Sequence, residues 1–171
     1  MPNWCNNSIT ISGPAETIRQ LWDDAQTADE GKFGLLNAMA PIGDWDYESA
    51  VNAWGTKWDI SGEGLEIIEH GDGTAEITGW FESAWAPPIE AYNTFCDDMD
   101  NCSLEASYHE PGMDYAGFYV DGDDEYLDNL YEEFKLPEDE RSDLYNRLDE
   151  EYNLSENYDM WEEDEEMLVE E

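Results

Sequence analysis

Forty-five acidic residues stand against six basic ones in this chain, a formal net charge of −39 over 171 residues, and that imbalance limits what it can fold into. A carboxylate buried without a partner costs more than a small core returns, so nearly every acid must lie at the surface. Repulsion among them opposes compaction and should make stability rise with salt. Acidic chains of this kind are often disordered, but those lack aromatic residues. This one has eight Trp, ten Tyr and five Phe. It reads as a folded protein under an acidic shell.

Such a shell repels anionic lipid and bare nucleic acid alike, so the expected partners are basic proteins, with no membrane and no direct nucleic acid. No apolar run is long enough to cross a bilayer, and no basic, apolar signal peptide opens the chain. Cys5, Cys96 and Cys102 are odd in number and lack metal-ligand spacing. They read as reduced thiols of a cytoplasmic protein, and no cofactor or metal is expected.

The acids are unevenly placed. Residues 1–120 hold 22 acids and 3 bases, while residues 121–171 hold 23 acids and 3 bases in under half the length. Seven of the eight Trp and twelve of the thirteen Gly lie before residue 121. The sequence therefore divides into a compact α+β domain, 1–120, and an acidic helical extension, 121–171.

Within the first part, "NSITISG" alternates Ile9 and Ile11 with polar neighbours, the pattern of a half-buried strand. "PAETIRQLWDDAQ" spaces Ile18, Leu21, Trp22 and Ala25 as a helix behind Pro14. Residues 29–56 form a longer connection, too rich in Gly and Pro for one helix. "GLEIIEHGDGTAEITGWFESAW" then reads as a hairpin turning at "HGDG", where glycines supply positive φ. "PPIEAYNTFCDDMDN" begins a second helix, "CSLEASYHE" a further strand, and "AGFYVDG" one more. Strand, helix, strand, strand, helix, strand is the ferredoxin-like split βαββαβ order, here with a long insertion. Beyond 121 three helices are expected. The first carries Leu127, Leu130, Tyr131 and Phe134, the second opens at Pro137, and the third is capped by Ser155.

"MPNWCNNSITISGP", "WGTKWD" at 54–59, "FESAWAPP" at 81–88 and "YHEPGMDYAG" at 108–117 follow one another in an order that resembles the YubB-type ferredoxin-like domain of phage and plasmid proteins. The resemblance spans about residues 1–120. It implies a ferredoxin-like fold with the insertion after the first helix, and it implies no activity. The chain departs from it at Ala53, where members carry Asn, and in "SAWAPP", where "TAWSPP" is common.

Catalytic readings find little to stand on, and the chain is not expected to be an enzyme. His109 and Glu110 are adjacent strand residues and should point to opposite faces. His70 lies in the hairpin turn without metal-ligand spacing. "DGDDEYLDN" at 121–129 lacks the sixth-position Gly and final Glu of a calcium loop. Trp4, Trp54, Trp58 and Trp85, with Lys57, could stack on a base or sugar. Packing of the insertion against the sheet is the expected role for them. Haloarchaeal adaptation would also produce an acidic shell, but would spread the acids evenly.

The dense segment is the candidate partner-binding region. It begins with Asp121, Asp123, Asp124, Glu125 and Asp128, continues through Glu132, Glu133, Glu150 and Glu151, and ends with Asp159 and the run Glu162, Glu163, Asp164, Glu165, Glu166. Were the whole segment helical, its acids would fall about every 3.3 Å, close to the roughly 3.4 Å phosphate spacing of one B-DNA strand. Trp161, Met160, Met167 and Tyr158 are candidate anchors, since aromatic and Met side chains are enriched in interface cores. The expectation is a DNA-mimic inhibitor of a host nucleic-acid-binding or defence protein. The alternative is an acidic adaptor that binds a basic protein without mimicry.

Overall fold

The structure, a computed structural model, describes residues 2–28 and 32–169. Six antiparallel strands form one sheet: β1 (Trp4–Pro14), β2 (Leu65–Glu69), β3 (Thr74–Ala84), β4 (Ser103–Glu110), β5 (Tyr115–Val120) and β6 (Asp123–Asp128), in the order β2-β3-β1-β4-β5-β6. Strands β2-β3-β1-β4 are the ferredoxin-like arrangement, with β5 and β6 added beyond β4. The "HGDG" turn closes the β2–β3 hairpin with Gly71 at φ 76° and Gly73 at φ 91°, which side chains resist.

Opposed residues of an antiparallel pair share a face, so the register sorts the sheet into two sides. Ile11 lies opposite both Ile77 and Leu104, and Ile9 opposite Ala106. This face is covered by α1 (Ala15–Thr27), α2 (Leu35–Met39), α3 (Tyr47–Trp54) and α4 (Ile89–Asp98), which supply Ile18, Leu21, Leu36, Trp54, Tyr92 and Phe95 to one core. Burying each such side chain stabilises the fold by about 1.5–3 kcal/mol relative to exposure. The helix-forming stripe of α1 and the alternation of β1 and β3 are what bring these residues together. The insertion after α1 holds α2 and α3. Asp46 caps α3 by accepting the Ser49 N–H (2.9 Å).

The opposite face is dressed at only one end. Ser107 opposes Phe118, His109 opposes Ala116, and Ala116 opposes Leu127. Over them lie α5 (Leu130–Phe134), α6 (Asp143–Tyr152) and α7 (Leu154–Val169), whose Leu130, Phe134, Tyr145, Leu148 and Leu154 close a second core around Ala116. The Tyr152 hydroxyl reaches the Ser107 hydroxyl at 2.9 Å, tying α6 to the sheet. At the other end this face carries Asn6, Trp80, Glu82 and Glu105, all exposed.

Three expectations for the region after 121 need correction. Residues 123–128 are strand β6 rather than the start of a helix, so helix α5 holds Leu130, Tyr131 and Phe134 without Leu127. The cause is the Asp121-Gly122 turn, with φ 48° and 105°, which returns the chain beside β5. Pro137 precedes a single 3-10 turn, and α6 instead starts from Ser142, whose hydroxyl accepts the Tyr145 N–H (3.1 Å). Ser155 lies inside α7, held by the Asp149 carboxylate, which accepts its N–H (2.7 Å) and hydroxyl (2.9 Å). The step in charge at residue 121 thus falls in the turn of a continuous hairpin.

Candidate partner-binding surface

Helix α7 is seated by one apolar line; its other sides are largely acidic but also expose Met160 and Met167. Leu154, Tyr158 and Trp161 recur at helical spacing and meet α5, while the opposite side carries Asp159 and Glu163. Tyr131 packs against Tyr158 (ring centroids 5.4 Å) and edge-on against Trp161 (5.3 Å), and its hydroxyl donates to Glu162 at 2.7 Å. That bond, more than burial, pushes the Tyr131 hydroxyl up to about 12. Past Glu162 the helix runs on with Met167, Leu168 and Val169 exposed at 66%, 73% and 85%.

Beside this line lies a groove of about 580 Å³, lined by His109, Pro111, Asp114, Tyr131, Leu154, Asn157, Tyr158 and Trp161. Asp114 sits at φ 59° in the β4–β5 turn. Its carboxylate accepts the Tyr131 N–H (2.9 Å) through one oxygen and the Tyr158 hydroxyl through the other. Burial, then that bond, raises the Tyr158 hydroxyl. His109 leans on Tyr152 at 5.4 Å, and burial lowers its pKa while the Asp114 charge acts in the opposite sense. Glu110 points to the other face, fully buried, and accepts the Gly112 (2.8 Å) and Met113 (2.7 Å) N–H groups. The two side chains cannot act as a pair.

The acids singled out from the sequence fall in several environments. Asp121 serves the hairpin, accepting from Leu104 N (2.7 Å) and the Ser103 hydroxyl. Asp124 accepts the Tyr108 hydroxyl (2.5 Å), and burial raises its pKa. Glu133 accepts the Ser142 N–H at the turn before α6. Glu125 pairs with Arg147 (3.5 Å), Glu132 with Lys135 (2.6 Å), and Glu151 lies 3.3 Å from the Ser107 hydroxyl. Asp123, Asp128, Glu150, Asp159, Glu163 and Asp164 are exposed. Glu162, Glu165 and Glu166 flank Tyr131 and Val169. The even spacing of an unbroken helical array is absent, because part of the segment is a strand and α6 breaks from α7 at Asn153 (φ 54°).

Of the tryptophans expected in the core, Trp54 is there, its indole N–H donating to Ala40 O at 2.9 Å. Trp4, Trp58 and Trp85 are 44%, 38% and 48% exposed. Trp4 and Trp58 lie 6.2 Å apart, and the Lys57 ammonium sits 4.3 Å from the Trp58 ring centre. His70 is exposed near Glu76 (3.7 Å). Among the described residues no group of three or more His, Cys, Asp and Glu could hold a metal ion, and no helix is long and apolar enough to cross a membrane.

The groove's floor was not foreseen. Asp114 lies in the quoted motif "YHEPGMDYAG", but its partners Tyr131 and Tyr158 come 17 and 44 residues later. No local spacing could have joined them.

Fold and sheet order define a ferredoxin-like domain whose sheet is extended by a hairpin and backed by helices on its second face. The family model for the ferredoxin-like domain in Api92-like proteins matches residues 53–167, well over half of the chain, and the chain belongs to that family. The matched span runs across residue 121 and through most of α7. The crystal structure of protein api92 from Yersinia pseudotuberculosis is similar at 19% identity, over 52% of this chain and 32% of that one, with a TM-score of 0.34. The chain thus spans about a third of the length of that protein. No curated protein matches.

Proposed function

We propose that this is a non-catalytic, cytoplasmic binding protein whose acidic C-terminal helices occupy the nucleic-acid groove of a basic host protein, carboxylates standing where phosphates would. The observation that carries the reading is the outer half of α7, where Glu162–Glu166 are followed by exposed Met167 and Leu168. Charge with no counter-charge among the described residues, beside exposed apolar side chains, suits an interface more than a solubilising tail. Among the described residues four acid–base contacts form, so most carboxylates lack an internal counter-charge. Exposed charges of this kind steer encounter, and the apolar side chains hold the complex once formed.

The resemblance to YubB-type domains supports a phage- or plasmid-encoded origin, and a restriction enzyme, nuclease or similar defence protein as the target. The test is capture of partners from bacterial lysate on the intact chain, followed by competition with duplex DNA. Displacement of an identified nucleic-acid-binding protein by DNA supports mimicry. Retention of that protein in excess DNA would make the chain an adaptor that leaves the DNA site free.

A further inference from the structure

We propose that the groove between α7 and the β4–β5 turn is a cage for a guanidinium group, the head of an arginine on the basic partner, with Tyr131, Tyr158 and Trp161 as walls and Asp114 as counter-charge. This rests on the reading that the partner is basic, and it assigns that partner a specific foothold.

Three observations select a cation. First, the walls are aromatic rings packed against one another, at centroid separations of 5.3–5.4 Å. Such rings attract a cation through their quadrupole and suit the flat guanidinium better than a compact ammonium. Second, the Asp114 carboxylate is part-buried in the groove, and no Lys or Arg of the described residues forms an ion pair with it. Each of its oxygens accepts one hydrogen bond, which leaves further acceptor capacity on both. Third, the chain already places its own cations on this aromatic cluster from outside: Lys135 lies 5.1 Å from the Tyr131 ring centre and Arg141 5.1 Å from that of Phe134. Burial keeps the His109 imidazole biased to its neutral form, so it does not repel a cation entering beside it. An anion would meet Asp114 and the acids of α7, and a neutral ligand would gain little from the carboxylate.

The probe is N-acetyl-arginine methylamide, with the citrulline analogue as a neutral isostere, both at fixed ionic strength. The readout is the Trp161 indole N–H resonance, identified by its loss in Trp161→Phe. The expected result is a saturable shift with the arginine compound, at least about fivefold tighter than with citrulline. Asp114→Asn should weaken it about tenfold. Because that substitution also loosens the tie to Tyr158, the citrulline comparison on the unaltered chain carries the decision. Equal binding of the two compounds, or a response that never saturates, overturns the cage. The same titration on the variant neutralised at Glu162–Glu166 separates the cage from the helix tip, and an undiminished arginine response there supports the groove as the site. If the compound is ignored while partner capture persists and depends on Glu162–Glu166, the cage fails and the broader reading stands.

Discussion

The two faces of the sheet are built on different terms. On one, α1 to α4 bury a broad core of aliphatic side chains with Trp54, Tyr92 and Phe95, and every member of it lies before residue 121. On the other, α5 to α7 cover only the β4–β6 end, with five buried residues around Ala116 and a rim of tyrosines. The first face also uses polar ties, such as the Trp54 indole on Ala40 O (2.9 Å) and the Asp59 carboxylate on the Leu36 and Asn37 N–H groups (2.9 Å each), but these accompany a broad apolar core. The second is fastened by side-chain hydrogen bonds: Tyr152 to Ser107, Tyr158 to Asp114, and Arg141 Nη2 to Phe134 O at 2.7 Å. Where apolar area is scarce and charge dense, directional bonds to aromatic hydroxyls do the positioning. The difference explains how a segment with 23 acids can be docked on a sheet and still present most of them outward.

Ending the chain at Asp121 should have the largest effect. It removes β6 and the second core but leaves the first core whole, so the near-UV circular dichroism of its tryptophans should persist at reduced thermal stability. Loss of that signal would show that the sheet needs both faces. Next come single cavities. Leu104→Ala and Leu148→Ala remove fully buried side chains from the first and second core, and each should cost about 2–5 kcal/mol. Hydrogen exchange distinguishes them: Leu148→Ala should speed exchange in α5 to α7 while β1 stays protected, whereas Leu104→Ala should speed it throughout. Uniform acceleration by both would erase the contrast between the faces.

The first core was legible because it is local pattern. Alternation in β1 and β3 and the spacing in α1 name their buried residues without knowledge of the rest. The second face was obscured by charge: the same density that marked residues 121–171 as one unit hid a strand within them. "VDGD" carries the Asp-Gly signal of a tight hairpin, and weighing it above the acidity would have placed β6. The groove could not be read at all, since Asp114, Tyr131 and Tyr158 meet only after the hairpin and α5 have formed.

Salt should act next in size. Raising monovalent salt from about 0.01 to 0.5 M screens the acids and should raise the thermal midpoint. The shift should be larger for the full chain than for the chain ending at Asp121, because the removed segment holds 22 of the 45 acids. Equal shifts would mean that the acids of the two regions repel alike.

The smallest effect is that of His109. In the unfolded chain it ionises near pH ~6.5, and burial lowers that value in the fold. The unfolded chain therefore takes up the proton first, so stability is fully present above about pH 6.5 and declines as pH falls toward the depressed folded value. His109→Gln should remove that decline, read as the difference between the two proteins' denaturant midpoints across this range. A pH-independent difference would show that the imidazole is not held neutral.

The central claim is that the outward charge of α7 guides a partner that its apolar residues then hold. The most direct measurement is the association rate with the captured partner at low salt, for the unaltered chain and for one with Glu162, Glu163, Asp164, Glu165 and Glu166 changed to Gln and Asn. The account predicts association slowed by about tenfold or more, with little change in dissociation, and a difference that fades as salt rises. An unchanged association rate at low salt would make the charge a solubility device and contradict the account.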